Sequence, residues 1–243
     1  MHEPSRRMLI TGASGDLGEA IARTLAEQGW RLLLHAHRNR RQVDTLAASI
    51  EAHGGVAHCL QCDLADSEAT RAALATVLEQ GPVLGLVHAA GIHDDAPMAG
   101  MAETQWQQVI DVSLHGFFRV CQPLLLPMAR ARFGRIVALS SVAAVLGNRG
   151  QSNYAAAKAG LHGAVKSLAR EMASRGISAN VVAPGVVSSR MSAAAFTPQQ
   201  IKAWVPAARA GTPEEVAALV AFLCSDLAGY INGQVIGING GMA

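Results

Sequence analysis

The chain predicts a doubly wound α/β fold, a parallel sheet with helices on both faces, and two features carry that prediction. Short β-branched or leucine-rich runs alternate with longer stretches of helical spacing over the first two thirds of the sequence, which is the pattern of βαβ units. The runs are also nearly continuous in apolar residues, as in Val83-Leu84-Gly85-Leu86-Val87. Such runs suit strands covered by helices on both faces, not strands with one wet face.

In chain order, the first strand is expected over Arg7 to Thr11 and leads into a glycine-rich turn, Thr11-Gly12-Ala13-Ser14-Gly15-Asp16-Leu17-Gly18. Leu17, Ile21 and Leu25 then place one apolar stripe on a first helix, and Gly29 stands where a C-cap glycine ends it. Further strands are expected at Arg31 to His35, Val56 to Gln61, Val83 to Val87, Arg135 to Ser140, Ser178 to Ala183 and Gln234 to Ile238. A long periodic segment from Asn153 to Ser174 reads as helix. The least regular stretch, Pro184 to about Pro206, follows a late strand. Ligands of open α/β sheets sit beyond the carboxyl ends of the strands, so this stretch is a candidate substrate lid. No repeat or linker divides the chain, and residues 1–243 read as one domain.

Composition narrows the function classes. Half of the 243 residues are hydrophobic and 16% are charged, which excludes disorder. Twenty Lys+Arg against 18 Asp+Glu leave a net charge of +2, too little for a generic nucleic-acid footprint. Apolar runs fall short of the ~18 residues of a membrane span, and the N-terminus lacks a signal-peptide core, so a cytoplasmic location is expected. Of four cysteines, Cys121 and Cys224 read as apolar fillers. Cys59 and Cys62 form one C-x-x-C beside His58, but a structural zinc site wants four ligands and no second pair follows; an interior strand is the expectation, with no metal.

Three clusters carry chemistry. The glycine turn opens a helix at the first βα crossing, where backbone N–H groups and the helix N-terminus favour a phosphate. The end of the second strand, His35-Ala36-His37-Arg38-Asn39-Arg40-Arg41, offers three arginines and no acid. A ribose 2′-hydroxyl calls for Asp or Glu there and a 2′-phosphate for Arg, so NADP is favoured, with Arg38 as its partner. The third cluster is Ser141, Tyr154 and Lys158, the last two spaced i, i+4 on one helix face. A phenol with a reference pKa of about 10 needs a lower value to work as acid or base near neutrality, and a neighbouring ammonium pushes it that way.

Together these residues resemble the short-chain dehydrogenase/reductase family over essentially the whole chain. Besides the glycine turn, Cys62-Asp63-Leu64 is similar to the family's adenine-contacting Asp-Leu, His88-Ala89-Ala90-Gly91 to its Asn-Asn-Ala-Gly, and Ser141 precedes Tyr-x-x-x-Lys by thirteen residues. Pro184-Gly185 follows the sixth strand. Within the family, Gly134-Arg135-Ile136-Val137, the run Gly147 to Leu161 and the ending Asn239-Gly240-Gly241-Met242 most resemble 3-oxoacyl-(acyl-carrier-protein) reductases.

The resemblance implies a Rossmann-like domain that binds NADPH through Gly12, Ser14, Gly15, Asp16, Leu17, Gly18, Arg38, Asp63, Leu64, Ala90, Gly91, Tyr154, Lys158, Pro184, Gly185, Val187 and Ser189. It implies that Tyr154 donates a proton to a 3-oxo group, that Ser141 holds the carbonyl oxygen, and that Lys158 lowers the Tyr154 pKa and binds the nicotinamide ribose. An acyl pocket would involve Ala143, Val145, Leu146, Val186, Val187 and the segment around Met191 to Phe196. Arg132 and Arg175 would form a basic rim near the active-site mouth for an acidic acyl carrier protein. A homotetramer would form through long helices starting near Val109 and Asn153, where Ala155, Ala156, Ala159, Gly160 and Gly163 permit close approach.

Three departures stand out. Asp16 replaces the middle glycine of the turn, and is expected to point outward or cap the helix, since inside it would repel a pyrophosphate. Ser113 stands for the catalytic asparagine that anchors a water relay, and His115 is expected to face elsewhere. His88 and Ala89 replace two asparagines. A reductase of a specialised polyketide or polyene pathway is one alternative, and a weakly catalytic paralogue that binds cofactor or assembles with a partner subunit is the other.

Overall fold

The computed structural model describes residues 6–189 and 197–243. Seven strands form one parallel sheet: β1 (Arg7–Thr11), β2 (Arg31–Ala36), β3 (Val56–Gln61), β4 (Gly85–His88), β5 (Gly134–Leu139), β6 (Ile177–Pro184) and β7 (Val235–Ile238). Their order is β3-β2-β1-β4-β5-β6-β7, so the winding reverses between β1 and β4, where Leu9 pairs with Leu86 and Thr11 with His88. The crevice over the carboxyl ends of the strands at such a reversal is where this architecture takes its ligands. The expected strands all form, with ends displaced by a residue or two; Val83 is fully buried but precedes β4.

Helices α1 (Asp16–Glu27), α2 (Arg40–Ala52), α3 (Ser67–Glu79), α4 (Glu103–Ile110), α5 (Gly116–Ala131), α6 (Ala143–Leu146), α7 (Ser152–Met172), α8 (Pro198–Trp204) and α9 (Pro213–Cys224) cover the sheet. Alternation along β1 feeds two cores. Met8 and Ile10 pack with Ile21 and Leu25 of α1, Leu46 of α2 and Val220 of α9, while Leu9 packs with Leu74 of α3, Leu124 of α5 and Leu161 of α7. Gln28 caps α1 and Gly29 follows at φ +84°, the left-handed position expected of it.

Between α4 and α5 the chain does not break but widens into one π turn, Asp111–His115, giving a continuous helix from Glu103 to Ala131. That helix is long and apolar enough, by length and composition, to cross a membrane, which runs against the expectation from apolar runs alone. Part of its apolar surface has another destination: Val109, Phe117, Val120, Leu124 and Met128 are buried in the fold, while Phe118 and Leu126 are exposed. Gly160 of α7 meets the side chain of Leu114, which a Cβ would approach to 2.8 Å, so its small size serves contact within the chain. Gly163 has no atom within 4 Å of its notional Cβ.

Candidate active site

The glycine turn is built by steric necessity. Gly12 has φ +68°, and a Cβ there would lie 2.8 Å from the backbone of Ala90; a Cβ on Gly18 would collide with the Gly12 carbonyl oxygen. Gly15 is under no such pressure, its nearest contact being 3.5 Å away, and it occupies the N-cap of α1. Asp16 is thus the first residue of α1 and not its cap, half-buried; its neighbour Leu17 lines the cavity described below and Asp16 does not.

Two buried histidines staple this turn. His35 Nε2 lies 3.0 Å from the Cys62 carbonyl, which only accepts, so Nε2 carries the proton and Nδ1 is left to accept from the Gly12 N–H at 3.4 Å. The same logic orders His88. Its Nε2–H donates to the Ser113 carbonyl at 3.1 Å, Thr11 Oγ1 donates to Nδ1 at 3.0 Å, and Ala90 N–H donates to Thr11 Oγ1 at 3.1 Å. Burial, with the Lys158 charge adding, holds His88 down to about 3, and burial also lowers His35, so both rings are neutral. His88 therefore bridges the turn to the π segment.

Lys158 and Ser113 meet at Gly91. A Cβ on Gly91 would lie 2.9 Å from Lys158 Nζ and 3.4 Å from Ser113 Oγ, so only glycine leaves that space open. Ser113 Oγ is fully buried with no hydrogen-bond partner among the described residues. Lys158 Nζ donates to the Leu139 carbonyl at 2.8 Å, and burial lowers it to about 8. His115, two residues past Ser113, is about half exposed and bonds Asp111 at 2.7 Å, away from this space as expected.

Tyr154 shares the α7 face with Lys158, whose Nζ lies 5.8 Å from the phenol ring centre, and it lines one cavity with Ser141. Its pKa is displaced upward, against the expectation of a lowered value. Burial raises it most, the nearby Ser141 hydroxyl offsets part, and the Asp95 carboxylate raises it further. Asn153, missed by sequence reasoning, is fully buried beside it. Its amide donates to the carbonyls of Asp94 (2.9 Å) and Gln105 (3.2 Å) and accepts from Tyr154 N–H at 2.7 Å, so it locks the start of α7 to the loop after β4. Ser140 Oγ donates to the Lys158 carbonyl at 3.0 Å and lies 2.7 Å from His162 Nε2, fastening the end of β5 to the same helix.

A cavity of about 420 Å³ opens at Ser141 and Tyr154. Ala143, Leu146, Val186 and Val187 line it as expected, with Pro184, Gly185 and Ser189 at its edge. Val145 does not; it is exposed, and Trp204 and Met242 contribute instead, brought in from chain segments far from the motifs. Met191 to Phe196 lie outside the described residues. Asp63 bonds Ala65 N–H at 2.9 Å and lies 3.6 Å from His37 Nε2; Leu64 is buried, and Ser14 is half-buried in the turn. Arg38 is exposed just past β2. Cys59 lies in β3 and Cys62 just beyond it, and burial pushes both thiols up, Cys59 to about 12.

Arg132 and Arg175 do not rim this cavity. They precede β5 and β6, at the amino edge of the sheet, whereas Ser141 and Pro184 stand at the carboxyl ends of those strands; six residues of β5, roughly 20 Å, separate the two edges. Arg132 sits at φ 51° as the cap of α5 and donates to the Ser174 carbonyl at 3.1 Å.

With the geometry in place, the likeness to known proteins is broad. The family described as enoyl-(acyl carrier protein) reductase matches residues 12–243. The chain is 41% identical over 241 residues to the 3-oxoacyl-(acyl-carrier-protein) reductase of Staphylococcus aureus (strain N315), covering 98% of each chain. It is 39% identical to the enzyme of that name from Aggregatibacter actinomycetemcomitans, over 98% of this chain and 99% of the relative. It is 42% identical to nodulation protein G of Rhizobium sp. (strain N33), over 98% and 97%.

Proposed function

We propose, starting from the fact that this chain belongs to the short-chain dehydrogenase/reductase family, that it reduces the 3-oxo group of an acyl thioester on an acyl carrier protein, with NADPH, to the 3-hydroxyacyl thioester. The observation that supports this reading is a largely apolar cavity lined by Ser141 and Tyr154, with buried Lys158 close to the phenol ring, beside a glycine cradle. A dinucleotide fits that cradle, because Gly12 and Gly18 let the turn pack tightly against Ala90 and so bring the N-terminus of α1 to the carboxyl edge of the sheet, where a pyrophosphate is favoured. When bound, the nicotinamide supplies the hydride for the carbonyl carbon.

The residues do the rest. Ser141 and Tyr154 hold the carbonyl oxygen, and Tyr154 gives up its phenolic proton as that oxygen gains charge. A raised pKa keeps the phenol protonated at neutral pH, which is the form a reduction needs. Lys158 holds the nicotinamide ribose and stabilises the phenolate formed as the proton leaves. Ser113 Oγ, buried and without a partner among the described residues, holds a water that passes a proton toward Lys158. Arg38 takes the 2′-phosphate, and Asp63 and Leu64 meet the adenine. Ala90, Gly91, Pro184, Gly185, Val187 and Ser189 complete the nucleotide site. Ser14, Gly15, Asp16 and Leu17 shape its phosphate end.

The protein works in the cytoplasm as a homotetramer. Phe118 and Leu126, about two-thirds exposed on α5, support that assembly. Arg132 and Arg175, at the far edge of the sheet, can serve a carrier protein only at the cavity of another subunit. The test is NADPH oxidation with a 3-oxoacyl thioester, on carrier protein and on a small pantetheine analogue, with NADH as control. Tyr154→Phe is expected to lose activity by about 10²–10⁴-fold while still binding NADPH. Undiminished turnover in that variant, or no turnover in the wild type, refutes the reading.

A further inference from the structure

Beyond the reacting end, the cavity has two unlike walls. One is apolar, with Ala143, Leu146, Val186 and Val187. The other is a chain of hydrogen-bonded polar side chains. Asn148 Nδ2 donates to Gln151 Oε1 at 2.9 Å, Gln151 Nε2 donates to Asp95 Oδ2 at 2.9 Å, and His93 Nδ1 lies 3.2 Å from Asp95 Oδ1. Ala96 N–H also donates to the Gly150 carbonyl at 2.9 Å, so the loop after β4 is fastened to the loop before α7 and the wall is held in place.

The free valences of this wall include two acceptors, beside the second N–H of each carboxamide. A carboxylate only accepts, so the His93 proton sits on Nδ1, and in the neutral ring Nε2 presents a lone pair. Asn148 uses one amide N–H toward Gln151, which leaves the other N–H and its Oδ1. Neither Nε2 of His93 nor Oδ1 of Asn148 bonds another of the described residues, and His93 is 41% exposed, open to a ligand. Both are acceptors, so together they can take a hydrogen-bond donor, and a hydroxyl can also accept from the remaining amide N–H. A plain alkyl chain offers none and is served by the apolar wall alone.

We propose that His93 and Asn148, held by Asp95 and Gln151, recognise a hydroxyl or amide N–H of the substrate near the reacting carbonyl, and so select substrates that carry such a donor over plain alkyl ones. This rests on the reductase reading. Two sources offer the donor: a hydroxylated acyl chain, or the amide of the arm that carries the thioester.

Three substrates separate them: ethyl 3-oxohexanoate, which has no donor; ethyl 5-hydroxy-3-oxohexanoate, with a donor on the chain; and the N-acetylcysteamine thioester of 3-oxohexanoate, with a donor on the arm. In His93→Ala and in Asn148→Ala, kcat/KM for a donor-bearing substrate is expected to fall about tenfold, equal to about 1.4 kcal/mol, chiefly through KM, while the plain ester falls by about threefold or less. His93→Gln, which keeps an acceptor at similar reach, is expected to recover most of the loss. A fall confined to the hydroxy ester assigns the acyl chain, and one confined to the thioester assigns the arm. Equal falls for all three substrates, or none, overturn the proposal.

Failure of the wild type on every one of these substrates and on the carrier-protein thioester would instead refute the reductase reading. The wall is then judged by calorimetric binding of the three corresponding alcohols to protein loaded with NADP. Weaker binding in His93→Ala confined to ligands with the additional donor supports it, and uniform or absent change overturns it.

Discussion

His88 makes the structure's acid sensitivity calculable. The imidazole is fully buried, neutral, and uses Nδ1 as an acceptor, so a second proton would break the Thr11 bond and place a charge beside Lys158. In the folded protein its pKa is about 3, against about 6.5 in the unfolded chain. Between those values the unfolded chain binds more protons, so stability is fully present above pH 6.5 and is lost as the pH falls toward 3. From pH 7 to pH 5 the unfolded side chain gains nearly one proton that the folded one refuses, which removes about 2 kcal/mol. For a domain of this size that corresponds to roughly 4–8 °C in Tm. His88→Asn removes the titration and keeps a polar side chain at the bridge. Thermal unfolding of both proteins at pH 7 and pH 5 is the assay, and the difference between their pH slopes is the quantity, because other groups that titrate alike in both proteins cancel. The wild type is expected to lose about 2 kcal/mol more than the variant over that range. Parallel slopes would mean that His88 is hydrated or charged in the folded state, and the stapled turn would be wrong.

Two further outcomes follow from buried polar groups. Asn153→Ala strands the carbonyls of Asp94 and Gln105 and the Tyr154 N–H, and is expected to cost about 2–4 kcal/mol in urea unfolding; a loss under about 0.5 kcal/mol would show that water replaces the amide. Lys158, lowered to about 8, carries its charge below that pH and loses it above, so kcat for reduction is expected to decline through pH 8. Lys158→Met should remove that limb along with most of the activity, and a pH profile flat to pH 10 in the wild type would contradict the burial of Nζ.

What the sequence determined by itself was everything that local spacing encodes. The apolar runs gave the five inner strands because a strand covered on both faces has no polar side to alternate, while the edge strands β3 and β7 are partly exposed. Gly12 and Gly18 were legible because a tight strand-to-helix turn tolerates no Cβ, and Tyr154 with Lys158 because four residues make one helical turn. The tertiary structure decided what depends on groups distant in the chain. His35 and His88 looked like polar residues in or after apolar strands until the carbonyls of Cys62 and Ser113 arrived to accept their protons. Asn153 gained its role only from Asp94 and Gln105. Trp204 and Met242 entered the cavity, and Val145 left it, through packing that no periodicity records. The direction of the Tyr154 shift also reversed, because a sequence shows the neighbouring ammonium but not the burial that outweighs it. Arg132 and Arg175 fell at the opposite edge of the sheet from the site, since only the course of β5 and β6 tells which end of a strand a residue guards.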